Sequence, residues 1–503
     1  MYRTLGISQL SFEEALLLRR EFIPESSCLH FAKSPVCIER GKGQYLFDDK
    51  NCRYLDCFSS YSPVGHSHPE VVEVGRRVLS SFLSRNPAQF RRDEVVPRKR
   101  SKRTSYGDFD TPNEISALTE RLYDELRKRL PPHYDTIYFA KSGAEANDIA
   151  VFLARAYTKG EETLVVDESH HGDLSTIAAL SARMFHRHKL IPEKWVHVLP
   201  VPVKDSPDML AEAKKKIADL KSQNRKLCCL LCEPIFGLAG GFIPTSSCMH
   251  SVVELVRENG GLWIADEILT GLGRLGTHFW GFELLNSASD RKCYPDILTV
   301  GKPLGNGFPI SLVITSSKIA SAAGDALNQL KKPPLESAIG AVVLGIIDRD
   351  KMMESVAKVG AGLKAKLISR TRKHHILGDV RGQGLLVSVD VVTDKESRMC
   401  NKVDALHLWY LLKERGVLCC LEGPERSSLM LQPPLCFTAE DGEEFVDALC
   451  GSVEAMRMAY APKTDLRFSQ FGDGGSSCGT SCSFEDRPLP LKSRVIEDFE
   501  ELD

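Results

Sequence analysis

Residues 135–158 read DTIYFAKSGAEANDIAVFLARAYT and contain the pattern that decides the fold. A short β-rich run, DTIYFA, passes through a Lys-Ser-Gly turn into a stretch whose apolar residues recur at every third or fourth position, as on one face of a helix. The same alternation continues along the chain and predicts βαβ units on a mostly parallel sheet flanked by helices. The later strand-like runs are TLVVD, VHVLPV, LCCLLCEP, LWIAD and ILTVGK, and the helical stretches are Glu145–Tyr157, Met209–Leu220 and Met249–Glu258.

The pattern changes at about residue 335. Residues Leu335–Lys373 predict one long helix, and the segment DVRGQGLLVSVDVV after it predicts strand structure. Three more elements follow in order, namely a helix in KVDALHLWYLLKERG, a strand in VLCC and a helix over Glu440–Met456. Helices and strands mixed in this way predict a separate α+β domain in the C-terminal part of the chain.

Two segments are predicted to be exposed and poorly ordered because they are polar and interrupted by Pro or Gly. The first is the insertion 91–113, RRDEVVPRKRSKRTSYGDFDTPN, and the second is the tail 461–503, which is rich in Gly, Ser and acidic residues. The run RKRSKR matches a nuclear-localisation or nucleic-acid patch. It is the only such cluster in the sequence, which favours a solvated loop instead.

Composition excludes several classes of function. The 503 residues include 65 Lys and Arg against 67 Asp and Glu, a formal net charge of −2, so no overall field attracts nucleic acid or an anionic membrane. The longest apolar runs, such as Leu227–Leu231 and Ala341–Ile347, fall short of the ~20 residues that a membrane-spanning helix needs. We therefore expect a globular protein without nucleic-acid or membrane partners.

The N-terminal 22 residues predict a surface helix rather than a targeting segment. Glu13 and Glu14 interrupt its apolar stretch, which fits neither a signal peptide nor an acid-poor transit peptide. The 16 cysteines are scattered, and several lie in apolar segments where a thiol behaves as a small hydrophobic group. These features predict a reducing compartment, the cytoplasm, and leave a mitochondrial location open.

Polar residues recur where the predicted strands end, which is where open α/β sheets bind ligands. Ser142 and Gly143 start the helix after DTIYFA, and backbone N–H groups at a helix start can hold a phosphate. The alternative is a capping box formed by Ser142 and Glu145, which needs no ligand. In DESHHGD, His170 or His171 follows the strand TLVVD and is placed to stack on a flat cofactor ring, although both are also ordinary loop residues.

Two further strand ends deliver a carboxylate and a lysine. LWIADE places Asp266 at a strand end, where its carboxylate can hold a protonated ring nitrogen or simply cap a loop. In ILTVGKPLGNGFP, Lys302 lies where a strand of the buried type leads into a turn rich in Gly and Pro. Burial there would favour the neutral amine, which attacks carbonyl groups. The alternative is a lysine whose ammonium group extends to solvent.

Two competing motifs are set aside on their context. GxGxxG at Gly271–Gly276 follows a strand, but the aromatic run THFWGFE replaces the helix of a dinucleotide site. Cys229 and Cys232 have a zinc-like spacing, but they lie inside an apolar strand without a second ligand pair, which favours buried thiols. The sequence contains no P-loop, GxSxG or HExxH motif, and we predict no metal centre.

These segments together resemble the class III aminotransferases, which are pyridoxal 5'-phosphate (PLP) enzymes of fold type I, over residues 31–456. The resemblance lies in SGAEAN, HHG, CEPIFGLAGGFIP, LWIADEILTGLGRLGTHFWGFE and PDILTVGKPLGNGFPISLVIT. The flanking segments resemble the branch of alanine-glyoxylate aminotransferase 2-like proteins, which includes ethanolamine-phosphate phospho-lyases. These segments are RGKGQYLFDDKNCRYLDC, VGHSHPEVV, LGDVRGQGLLVSVDVV and LEGPERSSLMLQPPLCFTAED.

The resemblance implies an organisation into two domains. The large PLP-binding domain would span 76–335 with a mostly parallel sheet of seven strands, and the small α+β domain would combine 1–75 with 336–460. The resemblance also implies a homodimer or a higher homo-oligomer, because a neighbouring subunit completes the cofactor phosphate site in this family.

The same resemblance assigns roles to individual residues. Lys302 would form the Schiff base with PLP, and Asp266 would pair with the pyridine nitrogen. The other implied contacts are those of Ser142, Gly143 and Ala144 with the cofactor phosphate, of His170 with the ring face and of Arg381 with a substrate carboxylate.

Some positions depart from the family pattern. Leu269 in DEILTG stands where the family has Gln, which removes a polar contact to the phenolic oxygen of the cofactor. The segment Gln329–Pro334 replaces a threonine-containing phosphate loop, so Lys331 or Lys332 would have to bind the phosphate. EPIFGLAG at Glu233–Gly240 is less polar than the EPIQGEGG of the family. The insertion also interrupts a region that lies near the substrate entrance in relatives.

The sequence therefore predicts a PLP-dependent enzyme that acts on a small primary amine. The branch resemblance favours a lyase that eliminates phosphate from phosphoethanolamine or a similar phosphorylated amine. Amino-group transfer to a 2-oxo acid is the alternative, because the same residues serve both reactions. The departures keep a third hypothesis open, a non-catalytic homologue that serves as a binding protein.

Overall fold

The computed structural model describes residues 11–23, 30–83, 113–203, 208–287, 292–328, 330 and 334–460. Most of the predicted insertion, including RKRSKR, and the whole predicted tail lie outside these ranges. The predicted N-terminal helix is present as α1, Phe12–Phe22, and its residues are largely exposed. It begins with a capping box in which the Glu14 N–H donates to Ser11 Oγ and the Ser11 N–H donates to the Glu14 carboxylate.

Fifteen strands form three sheets in the described residues. The large sheet has seven strands in the order β4-β10-β9-β8-β7-β5-β6, and β10 alone runs antiparallel to its neighbours. The strands are β1 Ile38–Lys42, β2 Tyr45–Asp48, β3 Arg53–Asp56, β4 Thr136–Ala140, β5 Glu162–Val166, β6 Val196–Leu199, β7 Leu227–Cys232, β8 Leu262–Asp266, β9 Ile297–Val300, β10 Ser311–Thr315, β11 Leu377–Gln383, β12 Leu386–Val391, β13 Val417–Leu418, β14 Cys420–Glu422 and β15 Ser428–Leu431.

The central strands of the large sheet are buried along their whole length, β7 and β8 among them. A sheet of this kind must be covered by helices on both faces, because its strands have no polar side to turn to water. The predicted mostly parallel sheet with flanking helices is therefore confirmed. The helices after α1 are α2 Pro69–Leu83, α3 Asn113–Arg127, α4 Gly143–Thr158, α5 Ser175–Ala179, α6 Ala182–His188, α7 Met209–Ser222, α8 Ser246–Glu258, α9 Gly281–Ser287, α10 Ser317–Ala320, α11 Pro334–Arg349, α12 Met352–Thr371, α13 Lys402–Glu414 and α14 Ala439–Tyr460.

The smaller sheets join the two ends of the chain. One has the order β1-β2-β3-β13, in which the C-terminal strand β13 pairs in parallel with β3. The other, β11-β12-β15-β14, is antiparallel throughout. Helices α12, α13 and α14 accompany these sheets, which confirms the predicted α+β character of this part. The domain boundaries at 75, 335 and 460 stay predictions.

Two predicted elements of the small domain are wrong in detail. The single helix predicted over Leu335–Lys373 is two helices, α11 and α12, because Lys351 has a left-handed backbone with φ of 50° that ends the first helical path. The predicted strand VLCC is divided between β13 and β14, which belong to different sheets. The apolar run VLCC hides its own break, whereas the four charged residues Asp348–Lys351 mark the end of α11.

A buried arginine ties the large sheet's loops to the small domain. Arg274 is 1% exposed. Its guanidinium donates to the carbonyl oxygens of Leu385 at 3.1 Å, Pro433 at 2.8 Å and Ser60 at 3.2 Å. These three acceptors come from distant parts of the chain, so one side chain fixes the junction between the N-terminal segment, the large domain and the C-terminal sheet.

None of the helices in the described residues is both long enough and apolar enough to cross a membrane.

Candidate active site

The helix α4 begins at the end of β4 and presents its N-terminus at one edge of the large sheet. Ser142 caps the helix, because the Glu145 N–H donates to Ser142 Oγ at 3.2 Å. The Glu145 carboxylate in turn accepts a hydrogen bond from the Lys141 N–H at 2.7 Å. The first N–H groups of a helix have no acceptor within the helix, which leaves those of Gly143 and Ala144 available for an anion. The cap and the proposed phosphate site are therefore compatible.

Close packing leaves no room for side chains around this helix start. A Cβ atom on Gly143 would lie 2.6 Å from Ile268 Cδ1. A Cβ atom on Gly172, whose φ is +137°, would lie 2.3 Å from the Ala144 Cβ. At Gly172 a side chain would both strain the positive φ and clash with Ala144, and at Gly143 it would require Ile268 to move, so the two glycines keep the loops packed tightly against the helix start.

Asp266 ends β8 and lies 4% exposed beside this helix. Its Oδ2 accepts hydrogen bonds from Asn147 Nδ2 at 2.9 Å and from His171 Nδ1 at 2.8 Å. Its Oδ1 accepts the Ile268 N–H at 3.1 Å. A carboxylate with three donors is fixed in orientation.

The donors to Asp266 are themselves held in place. Asn147 is fully buried on α4, where its Oδ1 accepts from Thr299 Oγ1 at 2.7 Å and its Nδ2 also donates to the His171 carbonyl at 2.8 Å. The backbone N–H of His171 donates to Ser181 Oγ at 2.9 Å. The orientation of Asp266 is thus set by three separate elements before any ligand binds.

Adjacent histidines take different places. His171 is buried against Asp266, whereas the His170 ring is 31% exposed and lies 3.7 Å from Asp173. With Nδ1 donating to the carboxylate, His171 Nε2 is buried and makes no hydrogen bond within the described residues. The sequence interpretation singled out His170 and missed the roles of His171 and Asn147. Their signals were present, since HHG and SGAEAN both belong to the quoted motifs, but nothing in them shows which side chain faces Asp266. The stacking role of His170 stays a prediction.

The backbone of Lys302 lies close to this carboxylate. Strands β8 and β9 pair so that Asp266 is opposite Thr299, and the Glu267 N–H donates to the Thr299 carbonyl at 2.9 Å. Lys302 then begins a short 3-10 turn, Lys302–Gly305. Its side chain lies outside the part of the structure that is described, so its role as the Schiff-base lysine stays a prediction.

The turn that carries Lys302 is held by the N-terminal segment. Asn306, at the end of the turn, accepts the Val64 N–H at 3.1 Å through Oδ1 and donates to the Gly65 carbonyl at 3.0 Å through Nδ2. These two hydrogen bonds attach the N-terminal segment directly to the predicted catalytic turn.

The second acidic residue of LWIADE, Glu267, is buried in the protein packing. Glu267 is fully buried, accepts the Phe282 N–H at 2.8 Å and is hydrogen-bonded by Thr270. Burial raises its pKa to about 7, against the opposing effect of these hydrogen bonds. Glu267 therefore packs the loop behind Asp266.

Leu269 packs in an apolar cluster and makes no polar contact through its side chain. It is 8% exposed, and a Cβ atom on Gly237 would lie 2.5 Å from one of its methyl groups. The rest of the cluster is formed by Ile235, Leu275, Leu386, Cys420 and Met430. The departures at Leu269 and in EPIFGLAG thus fit one another, since both make this wall of the site apolar. The replaced segment Gln329–Pro334 lies largely outside the described residues, Lys331 and Lys332 included.

Arg381 is already engaged within the protein. Its guanidinium forms a two-pronged ion pair with Asp390 and donates to the Gly240 carbonyl at 3.1 Å. It also lies 4.0 Å from the centre of the Phe242 ring. Ser428 Oγ donates to the same Asp390 carboxylate at 2.7 Å. A substrate carboxylate would therefore have to compete with Asp390, and the predicted role of Arg381 stays a prediction.

The GxGxxG and Cys-x-x-Cys motifs, which were set aside on their sequence context, are part of the packed structure. Gly271–Gly276 forms a non-helical turn in which Gly276 packs against the backbone of Ala357, and no helix starts there. Cys229 and Cys232 are buried in β7. No group of three or more potential metal-ligating side chains occurs in the residues that the structure describes.

The comparisons with known proteins agree with this geometry. A family model described as "Aminotransferase class-III" matches residues 30–452. The chain belongs to the class III aminotransferase family. It is 31% identical over 459 residues to the alanine-glyoxylate aminotransferase 2-like protein of Drosophila melanogaster, a match that covers 87% of this chain and 86% of the relative. It is also 31% identical over 464 residues to ethanolamine-phosphate phospho-lyase homolog 1 of Caenorhabditis elegans, covering 87% and 93% of the two chains.

A solved structure has the same fold. The phospholyase from Arthrobacter in complex with phosphoethanolamine superposes with a TM-score of 0.75 at 26% identity, and the match covers 89% of this chain and all of that one. The predicted PLP fold type I is confirmed. As a class III aminotransferase family member, the chain is a PLP-dependent transaminase or lyase.

The residues present fit this cofactor. A dianionic phosphate matches the start of α4, where the first backbone N–H groups have no acceptor within the helix. A protonated ring nitrogen matches the Asp266 carboxylate, whose orientation Asn147 and His171 already fix.

Proposed function

We propose that this protein is a phospho-lyase that eliminates phosphate from phosphoethanolamine or a closely similar phosphorylated amine. The products would be an aldehyde, ammonia and inorganic phosphate, with one water molecule consumed. Both the Caenorhabditis relative and the Arthrobacter structure are named as phospho-lyases, and the latter contains phosphoethanolamine. The alternative is amino-group transfer to a 2-oxo acid.

The observation that carries the choice is the ion pair of Arg381 with Asp390. Transamination between amino acids and 2-oxo acids needs a cation for the substrate carboxylate, and here Asp390 already neutralises the predicted one. Phosphoethanolamine has no carboxylate and makes no such demand. Arg381 would bind substrate only in the alternative function, after separating from Asp390.

Each residue has a definite part in the proposed reaction. The bound cofactor supplies an electron sink for the electron pair left on carbon when a proton is removed. Asp266 keeps a proton on the ring nitrogen, and the first N–H groups of α4, with Ser142, hold the cofactor phosphate. Lys302 Nζ removes the proton beside the substrate nitrogen. The electron pair left on carbon then forms a carbon–carbon double bond, while the carbon–oxygen bond to phosphate breaks and its electrons leave with the phosphate.

The test is the release of inorganic phosphate from phosphoethanolamine by protein reconstituted with PLP. We expect release by the wild type and none above background by Lys302→Ala. In the same reactions, amino transfer to pyruvate should be absent. Transfer to pyruvate without phosphate release would overturn the proposal in favour of the transaminase.

We also propose a homodimer in the cytoplasm, in line with the predictions from sequence. Light scattering of the purified protein tests the first statement, and fractionation of cells tests the second. A monomer, or a location in mitochondria, would contradict them.

A further inference from the structure

A cluster of arginines lies where α6 of the large domain meets the β14–β15 hairpin of the small domain. Arg183 and Arg187 are one helical turn apart on α6 and point to the same carboxylate, Glu422. Arg183 is 6% exposed and forms a direct ion pair with Glu422. Arg187 is half-buried and lies 3.5 Å from the same oxygen. Two guanidinium groups therefore share one carboxylate.

A third cation lies close by. The 3-10 turn Pro424–Arg426 between β14 and β15 carries Arg426, which is exposed. Burial and the neighbouring charges of Arg183 and Arg426 together lower the pKa of Arg187 to about 10, against the attraction of Glu422. The positive charge of Arg187 is thus incompletely balanced by the protein itself.

The other ionisable groups nearby do not remove this excess. Asp167 is paired with His186 at 2.7 Å, which raises the pKa of that histidine. Burial and the charge of Asp167 raise the pKa of Glu168, so Glu168 ionises less readily than an ordinary glutamate. Burial and the charge of Arg426 lower the pKa of His30, which favours its neutral form. The cluster keeps three guanidinium groups against the carboxyl groups of Glu422 and Glu168.

The cluster adjoins the active site on both sides. On the large-domain side, the Arg183 N–H donates to the Ser169 carbonyl at 3.0 Å, and Ser169 is followed by the two histidines, of which His171 holds Asp266. On the small-domain side, the Gly423 N–H donates to the Leu238 carbonyl at 3.0 Å, in the loop that packs beside Leu269. Backbone hydrogen bonds therefore connect the cluster to the segment that carries His171 and to the loop beside Leu269.

We propose that Arg187 and Arg426 bind the phosphate group of a phosphorylated amine substrate, while Arg183, paired with Glu422, holds the subsite in shape. The inference rests on the proposed function and adds the residues that select the phosphate. Guanidinium groups suit a phosphomonoester dianion because they offer paired N–H donors as well as charge. Because they come from two domains, the bound phosphate would also bridge the domains.

The experiment compares Arg187→Gln and Arg426→Gln with a control, Arg127→Gln, which removes an exposed arginine from α3. Each holoenzyme is assayed for phosphate release from phosphoethanolamine. We expect KM to rise about tenfold or more in the first two variants, since each removes a hydrogen bond to a charged group, while kcat changes much less. Arg127→Gln should keep the KM of the wild type. Equal KM values in all four proteins would overturn the subsite while leaving the phospho-lyase activity established.

A second readout does not depend on turnover. Binding of inorganic phosphate to the same holoproteins is measured by titration calorimetry, with the cofactor phosphate site already filled by PLP. We expect the affinity for phosphate to fall about tenfold in Arg187→Gln and not in Arg127→Gln. If the wild type released no phosphate from the amine, the proposed function would fail, and this titration would still decide the subsite: unchanged affinity in Arg187→Gln would refute it.

Discussion

The polar groups around Asp266 and those around Glu422 are organised in opposite ways. At Asp266, donors from three elements match one carboxylate, and the donors Asn147 and His171 are themselves held by further hydrogen bonds. At Glu422, two arginines share a single carboxylate and a third lies near. The first region is complete before a ligand arrives, whereas the second retains positive charge that an anion would match. We infer from this contrast that the fixed site serves the cofactor and that the junction of the two domains serves substrate recognition.

The largest expected effect comes from breaking the fixed region. Asp266→Asn keeps the shape and the bond from His171 but removes the charge that holds the ring proton, so we expect kcat to fall roughly a hundredfold or more. The measurement is phosphate release at saturating phosphoethanolamine, with urea unfolding as the control for folding. A kcat within tenfold of the wild type would show that Asp266 has no such electronic role.

The region around Glu422 should respond differently, by losing stability while its affinity for an anion increases. Glu422→Gln leaves the buried Arg183 without its counter-charge, so we expect the free energy of unfolding to fall by about 3 kcal/mol. The same change raises the positive charge of the cluster, so inorganic phosphate should bind the holoprotein more tightly. Unfolding by urea and titration calorimetry measure the two effects. Weaker phosphate binding in Glu422→Gln would contradict the assignment of the cluster as an anion site.

The buried acid beside Asp266 predicts a dependence of stability on pH. The folded state raises the pKa of Glu267 from 4.5 to about 7, so the folded protein binds this proton more tightly than the unfolded chain does. Stability from this group is therefore greatest below pH 4.5 and is lost as the pH rises to about 7, by up to roughly 3 kcal/mol. The contribution of Glu267 is the difference in the free energy of unfolding between the wild type and Glu267→Gln, measured with urea from pH 5 to pH 8. A difference that stays constant across this range would contradict the raised pKa.

The smallest effect is expected at Arg381. Its charge is already neutralised by Asp390, so the double variant Arg381→Gln/Asp390→Asn removes the pair together and should change the KM for phosphoethanolamine by less than about twofold. The thermal midpoint serves as the control for folding. A rise in KM as large as that expected for Arg187→Gln would move the anion contact from the arginine cluster to Arg381.

The sequence was sufficient for the sheet and for Asp266 in the fixed region, but not for the partners of Asp266 or for the arginine cluster. The large sheet and the position of Asp266 follow from local pattern, because a buried strand delivers its last residue to a known edge of the sheet. The sequence could not separate His170 from His171, since one residue of difference in a loop decides which ring faces inward. Nor could it find the pair Arg183 and Glu422, which are 239 residues apart in the chain and are joined only by the docking of two domains. The break at Lys351 was missed although the charged run Asp348–Lys351 interrupts the apolar pattern, because such a run also occurs on the exposed face of a continuous helix.

The most direct test of the account is the visible absorption spectrum of the purified protein with PLP, recorded for the wild type beside Lys302→Ala. Lys302 follows the strand that pairs with the Asp266 strand, so we expect the band of lysine-bound PLP in the wild type and its loss in the variant. A band that persists unchanged in Lys302→Ala would place the cofactor on another residue. A wild type without a band would contradict the claim that this edge of the sheet binds PLP productively.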